Sequence, residues 1–314
     1  MITQIKKCRI CNNTDLVPVV DLGEQYLTGI FPSHKAETLA KGPLRLMKCH
    51  GGENVCGLLQ LEHNYDLNQL YGENYGYRSG LNASMVNHLH RKVGTIIERC
   101  DLNKGDLVID IGSNDGTTLA AYPNHLQLVG IDPTGEKFEI FYEKHIVLIP
   151  EFFCSDLVTS SYPGKKAKIV TSFSMFYDLE DPVDFVCQVA AILDPHVGIW
   201  VLEQSYMPLM LERTAYDTIC HEHLEYYGLK QIGWLMDKAG LEVVDVKLND
   251  VNGGSFSVIV AHKGSRHADV DNMADRLIAS ENSKGLASLE PYNCLLYTSP
   301  SPRDATLSRM PSSA

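Results

Sequence analysis

One apolar run that ends in a glycine loop constrains this 314-residue chain more than any other feature. Leu107-Val-Ile-Asp-Ile111 passes straight into Gly112-Ser-Asn-Asp-Gly116. A short run of Val and Ile stopped by glycine reads as a buried strand that delivers a tight loop. Leu126-Gln-Leu-Val-Gly-Ile131, Ala167-Lys-Ile-Val-Thr171 and Gly198-Ile-Trp-Val-Leu202 read as further strands. Helical signals lie before and between them: Met85, Leu89, Val93 and Ile96 recur at helix spacing, and a second helix is expected over about residues 182–193. Strands alternating with helices of this length mean βαβ units. The expected fold is α/β, a doubly wound and mostly parallel sheet. Residues 242–247 and 255–262 alternate in apolar character and are expected to add strands at its edge.

Such sheets bind ligands at the carboxyl ends of their strands, and here the loop runs acidic-x-Gly-x-x-x-Gly from Asp110 to Gly116. A dinucleotide loop carries a third glycine and a helix start free to hold a pyrophosphate. Asp110 and Asp115 suit a ligand with positive charge better, such as the ammonium and sulfonium of S-adenosylmethionine (SAM). Sixteen residues past Gly116 the second strand ends in Gly130-Ile-Asp132-Pro, where a carboxylate can accept both hydroxyls of a ribose. The expected cofactor-binding residues are therefore Asp110, Gly112, Asn114, Asp115, Gly116 and Asp132.

Residues 1–65 have a different texture, turn-rich and cysteine-bearing. Cys8-Arg-Ile-Cys11 is a knuckle that can put two thiolates on one metal, with Cys49 and Cys56 as its complement. A tetrahedral, four-thiolate structural zinc would hold together a block with little core of its own. The six residues between Cys49 and Cys56 exceed the usual two to four, and His50 offers an alternative ligand. No run approaches the roughly 18 apolar residues of a membrane helix, and the first residues lack the apolar stretch of a signal peptide. The expected location is the cytoplasm, with no membrane partner, where nine cysteines read as metal ligands or buried thiols rather than disulfides. A net charge of −12 disfavours nucleic acid.

Two further clusters carry titratable or aromatic groups. Cys220-His221-Glu222-His223-Leu-Glu225-Tyr226-Tyr227 is not a zincin helix, because Glu225 stands where its second His would be. Acid–base chemistry suits it better, since a carboxylate beside a histidine fixes the tautomer and raises basicity. Tyr71, Tyr75 and Tyr77 lie between the cysteine block and the glycine loop, at a junction where substrates often bind. The last stretch, residues 294–314, is rich in Ser and Pro without period. It resembles the translation of a sequencing adapter, which predicts that the authentic protein is interrupted after about Asn293 and that this segment is unstructured.

In this order the motifs resemble the sugar C-methyltransferases of deoxysugar biosynthesis, class I SAM-dependent methyltransferases with an N-terminal zinc-binding domain. The resemblance runs over residues 8 to about 262. It rests on Cys8-x-x-Cys11, Asp21-Leu-Gly23, Gly57-Leu-Leu-Gln-Leu61, Tyr75-Gly-Tyr77-Arg-Ser, the Asp110–Gly116 loop, His221-Glu222-His223 and Gly253-Gly254-Ser255. It implies a zinc-binding domain (1–65), a SAM-dependent methyltransferase domain with a substrate-side extension (66–293), and a third domain starting about where the adapter-like segment stands, so that the chain is C-terminally truncated and can bind SAM without thereby being active. It also implies a small-molecule acceptor, a nucleotide-linked keto sugar, from which a base removes the proton next to the carbonyl before the enolate takes the methyl group. Carried over by position, the acid–base set is Tyr77 (or Tyr75), Glu222 and His223. Two departures stand out: Cys220 replaces an expected Tyr, and residues 172–178 after the fourth strand offer no His, leaving Tyr177 as the available group. The competing expectations are a methyltransferase for another small molecule, a nucleotide-sugar oxidoreductase, or a zinc-stabilised interaction protein without catalysis.

Overall fold

The computed structural model describes residues 2–29, 34, 39–52, 54–72, 75–267, 272–293 and 295. The segment expected to be adapter-derived lies outside them except for Leu295, which is buried. Strands β1 (Leu16–Tyr26), β2 (Lys41–Cys49) and β3 (Leu59–Leu61) form an antiparallel small sheet. Helix α1 (Ala83–Arg99) follows, its start capped by the Asn82 side chain accepting from the Ser84 N–H. Leu89, Val93 and Ile96 are its buried stripe, as their spacing requires, while Met85 faces a cleft described below.

The large sheet is built from β4 (Leu107–Ile111), β5 (Gln127–Ile131), β6 (Ile146–Ile149), β7 (Ala167–Phe173) and β8 (Ile199–Ser205). These five are parallel to their neighbours. Two-residue β9 (Glu225–Tyr226) pairs instead with β3, which carries the small sheet across to the far end of the chain. Strands β10 (Leu241–Asn249) and β11 (Ser255–His262) complete the large sheet in the order β10-β11-β8-β7-β4-β5-β6, with β11 antiparallel to both neighbours.

Every residue of β4 is buried, because both faces of the sheet are covered. Leu107, Ile109 and Ile111 join one core with Phe185, Val186 and Val189 of α2 (Pro182–Ile192) and Ile232 and Leu235 of α3 (Leu229–Lys238). Val108 points the other way, into a core with Val93 and Ile96 of α1. That alternation is the period of two expected of a strand between helical layers. Helix α2 begins where Asp181 accepts from the Asp184 N–H and Pro182 occupies the first turn. The small sheet shares its core with Met207, Met210, Leu211 and Tyr226, so residues 1–65 pack as one body with a later part of the chain. No helix among the described residues is long and apolar enough to cross a membrane.

Candidate active site

The four cysteines of the first block converge. The sulfurs of Cys8, Cys11, Cys49 and Cys56 all lie within 4.8 Å of one another, with Cys8–Cys56 at 3.4 Å and Cys11–Cys49 at 3.5 Å. Four sulfurs about 2.3 Å from a tetrahedral zinc stand roughly 3.8 Å apart, so the donor set fits that ion. The wide Cys49–Cys56 loop is closed by the Cys49 N–H donating to the Leu58 carbonyl at 2.8 Å, and Gly57 beside it has φ +71, where a Cβ would stand 2.9 Å from Lys48 Nζ. His50 is not part of the group. Lys48 is buried beside the cysteines and donates to the Gly57 carbonyl at 2.5 Å, placing a cation against a cluster that becomes anionic when metallated. Gln231 of α3 donates to the Cys56 carbonyl at 2.8 Å and ties the knuckle to the large domain.

A cleft of about 300 Å³ opens at the carboxyl ends of β4, β5 and β7. Asp110, Gly112, Asn114 and Asp132 line it. Gly112 has φ +75, and a Cβ there would meet Met175 Cγ at 2.9 Å, so only glycine lets the loop turn this close to the wall. Asp132 Oδ2 accepts from the Asn114 N–H at 2.8 Å, and Oδ1 accepts from Thr134 N and Oγ1 at 2.7 and 2.6 Å. Three of its roughly four acceptor positions are thus used by protein. Bidentate capture of both ribose hydroxyls therefore requires the Thr134 hydroxyl to turn away. Asp110 accepts from Thr171 Oγ1 at 2.5 Å, and burial pushes its carboxyl up to about 7.

Two residues expected to touch the cofactor stand elsewhere. Asp115 accepts from the Gly80 N–H at 2.9 Å and faces Arg78 at 3.4 Å, buried against residues 78–80 rather than lining the cleft. Gly116 packs against the Tyr142 ring. Asn114 accepts from the Ser79 N–H at 2.9 Å and donates to the Tyr77 carbonyl at 3.2 Å. Together Asn114 and Asp115 latch the tyrosine segment onto the glycine loop.

Tyr71, Tyr75 and Tyr77 line the cleft, Tyr77 half-exposed. Tyr71 donates to Asp178 Oδ2 at 2.9 Å across 107 residues of sequence. Asp178 sits on the cleft wall at the end of a single turn, Phe176–Asp178. Its Oδ1 is shut off from solvent and has no hydrogen-bond partner among the described residues. Burial drives the Asp178 carboxyl well above the usual range, against the opposing charge of His223. Tyr177 is buried behind this wall, its ring 4.0 Å from that of His223, and burial pushes its hydroxyl further above 10. That is the wrong direction for a base near neutrality. Glu222 and His223 are half-buried in the layer behind the cleft-lining tyrosines. His223 Nδ1 lies 2.8 Å from the Thr218 carbonyl, the Glu222 carboxyl packs on Gly29, and burial raises Glu222. His221 is fully buried against Tyr65 in the small-sheet core.

Sequence reasoning missed Asp178 and Tyr71 as partners, since nothing in either local sequence pairs them. It also missed Glu203 at the end of β8, buried with His88 and Lys92 of α1 and accepting from Asn249 Nδ2 at 2.8 Å. Burial would raise that carboxyl, but the hydrogen bond with His88 and the charge of Lys92 hold it below its usual range.

Residues 8–71 match a family described as "Putative zinc binding domain", and residues 85–246 match one described as "Methyltransferase domain". The C-methyltransferase NovU of Streptomyces niveus is 30% identical over 298 residues, which span 93% of this chain and 69% of that protein. Among solved structures, the complex of the Haloferax volcanii Trm112 methyltransferase activator aligns with TM-score 0.46 and 17% identity, over 58% of this chain and 94% of that one. Magnesium protoporphyrin IX methyltransferase from Synechocystis with bound S-adenosylhomocysteine aligns with TM-score 0.41 and 11% identity, over 57% and 82%.

Proposed function

Because this chain belongs to the class I SAM-dependent methyltransferases that carry an N-terminal zinc-binding domain, we propose that it methylates carbon in a nucleotide-linked keto-deoxysugar. The observation that carries this reading is one cleft lined by two unlike sets of groups. A glycine loop with Asp110 and Asp132 lines it together with Tyr71, Tyr75, Tyr77 and Asp178, and Asn114 joins the two sets by donating to the Tyr77 carbonyl. SAM, when bound, supplies an electrophilic methyl group. Gly112 lets the backbone approach it, Asp132 has an acceptor position left for a ribose hydroxyl, and Asp110 and Asn114 complete the cradle. Asp115 and Gly116 serve by holding the loop against Arg78, Gly80 and Tyr142.

Carbon attacks a methyl group only after it has lost a proton, and a neighbouring carbonyl makes that proton removable. The acceptor end supplies what this needs: a water-poor wall, a hydroxyl at the cleft mouth from Tyr77, and acid–base groups close behind. Glu222 and His223 tune that wall electrostatically, since the Tyr71 and Tyr75 hydroxyls both feel the Glu222 carboxylate and Asp178 feels His223. The similarity to a C-methyltransferase supports carbon as the acceptor atom.

The test is direct. The chain is incubated with SAM carrying a ¹³C methyl group and with thymidine, uridine or guanosine diphosphate-linked 4-keto-6-deoxyhexoses in turn. The expected product carries the label on a ring carbon, seen as one-bond carbon–carbon coupling to a ¹³C-enriched sugar. A label on oxygen overturns the carbon assignment, and failure with all three sugars overturns the acceptor class.

A further inference from the structure

Four carboxylates line the cleft: Asp110, Asp132, Asp178 and Glu180. Asp110 is tied to Thr171, and Asp132 is tied on both oxygens. Glu180 is exposed. Asp178 alone presents a solvent-excluded oxygen without a partner among the described residues, its other oxygen being occupied by the Tyr71 hydroxyl. A buried unpaired acceptor is destabilising, because it has given up water for no replacement partner. A ligand that brings a proton to that oxygen recovers the loss.

Resting on the keto-sugar reading above, we infer that Asp178 is the base that removes the proton next to the substrate carbonyl, with Tyr71 as its positioning residue. The Tyr71 hydroxyl fixes the carboxylate by holding Oδ2 and leaves Oδ1 for the substrate. The backbone supports the same placement, because the Leu224 N–H donates to the Tyr177 carbonyl at 2.7 Å and pins the turn that carries Asp178. In the step, the C–H bond beside the carbonyl breaks and its electron pair becomes the enolate double bond. The carbonyl π pair moves onto oxygen, and the proton passes to Asp178 Oδ1. Burial raises this carboxyl above the usual range, which makes the carboxylate a stronger base than an exposed one.

Proton abstraction can be read without methyl transfer. The full chain is placed in D2O with the three 4-keto-6-deoxyhexose nucleotides in turn, without SAM, and loss of the proton signal at the carbon beside the carbonyl is followed by NMR. Wild type is expected to exchange. Asp178→Asn should slow exchange by about 10²- to 10⁴-fold, Tyr71→Phe by about tenfold, and Asp178→Glu should recover part of the rate. All three variants should bind SAM with wild-type affinity by calorimetry. Exchange by Asp178→Asn at the wild-type rate overturns the inference and leaves the substrate reading standing. Loss of SAM binding in Asp178→Asn assigns the carboxylate to the cofactor instead and also overturns it. Absence of exchange by wild type on every sugar overturns the keto-sugar reading and the base with it.

Discussion

The two sets of groups that line the cleft are built on opposite plans. At the glycine loop both Asp132 oxygens and the Asn114 side chain are already hydrogen-bonded to neighbours, so the loop is held in place before any ligand arrives. Around Tyr71 a buried Asp178 oxygen lacks a hydrogen-bond partner among the described residues, and Tyr71, Tyr75 and Tyr77 line the cleft beside it. The first plan suits a partner that is always the same molecule. The second keeps a reactive group underused until a specific acceptor completes it. The ends also have different foundations: the loop hangs from β4 and β5 of the large sheet, whereas Tyr71 follows directly from the zinc-bearing block.

That contrast can be broken most forcefully through the metal. Structural zinc contributes about 10–16 kcal/mol to the folding of small thiolate domains. Chelation, or Cys49→Ser, should unfold residues 1–65 and abolish methyl transfer. Because these residues share cores with both sheets, the loosening should reach the large sheet and SAM affinity should fall as well, read by calorimetry beside circular dichroism. Glu222→Gln and His223→Ala probe the acceptor end alone. Each should slow turnover by about tenfold, the size of roughly one unit of changed basicity, with little effect on SAM affinity; unchanged rates in both would remove this pair from the mechanism.

Asp110 sharpens the comparison from the other side. Its folded value of about 7 lies above its ordinary 3.8, so the folded state binds the proton more tightly than the unfolded chain. Stability from this group is fully present below about pH 4 and declines as pH rises through 7. The shift corresponds to at most roughly 4 kcal/mol. Asp110→Asn should flatten that part of the stability–pH curve measured by denaturant titration. The smallest effect belongs to exposed pairs such as Lys263–Asp237, where Lys263→Ala should change stability by less than about 1 kcal/mol.

The large sheet was legible because its physics is local. An apolar run such as residues 107–111 can only be buried on both faces, and α1 announces itself by a stripe every three to four residues. Cys8 and Cys11 were equally plain, while Cys49 and Cys56 needed the loop closure between Cys49 and Leu58, which their spacing does not announce. The acceptor end was not legible. Tyr71 and Asp178 are 107 residues apart, and no local pattern in either segment announces that they meet. Asp115 misled for a related reason. The sequence supplies an acidic residue at a binding loop, but it is buried against residues 78–80 instead.

The central claim is that the glycine-loop end holds the cofactor and the tyrosine end does not. One calorimetric series addresses it: SAM titrated into wild type, Asp132→Ala and Asp178→Asn, with NAD as the control ligand for wild type. The account predicts SAM binding without NAD binding, a loss of about 10²-fold in Asp132→Ala from one or two charge-assisted hydrogen bonds, and wild-type affinity in Asp178→Asn. Equal losses in both variants, or NAD binding by wild type, would contradict it.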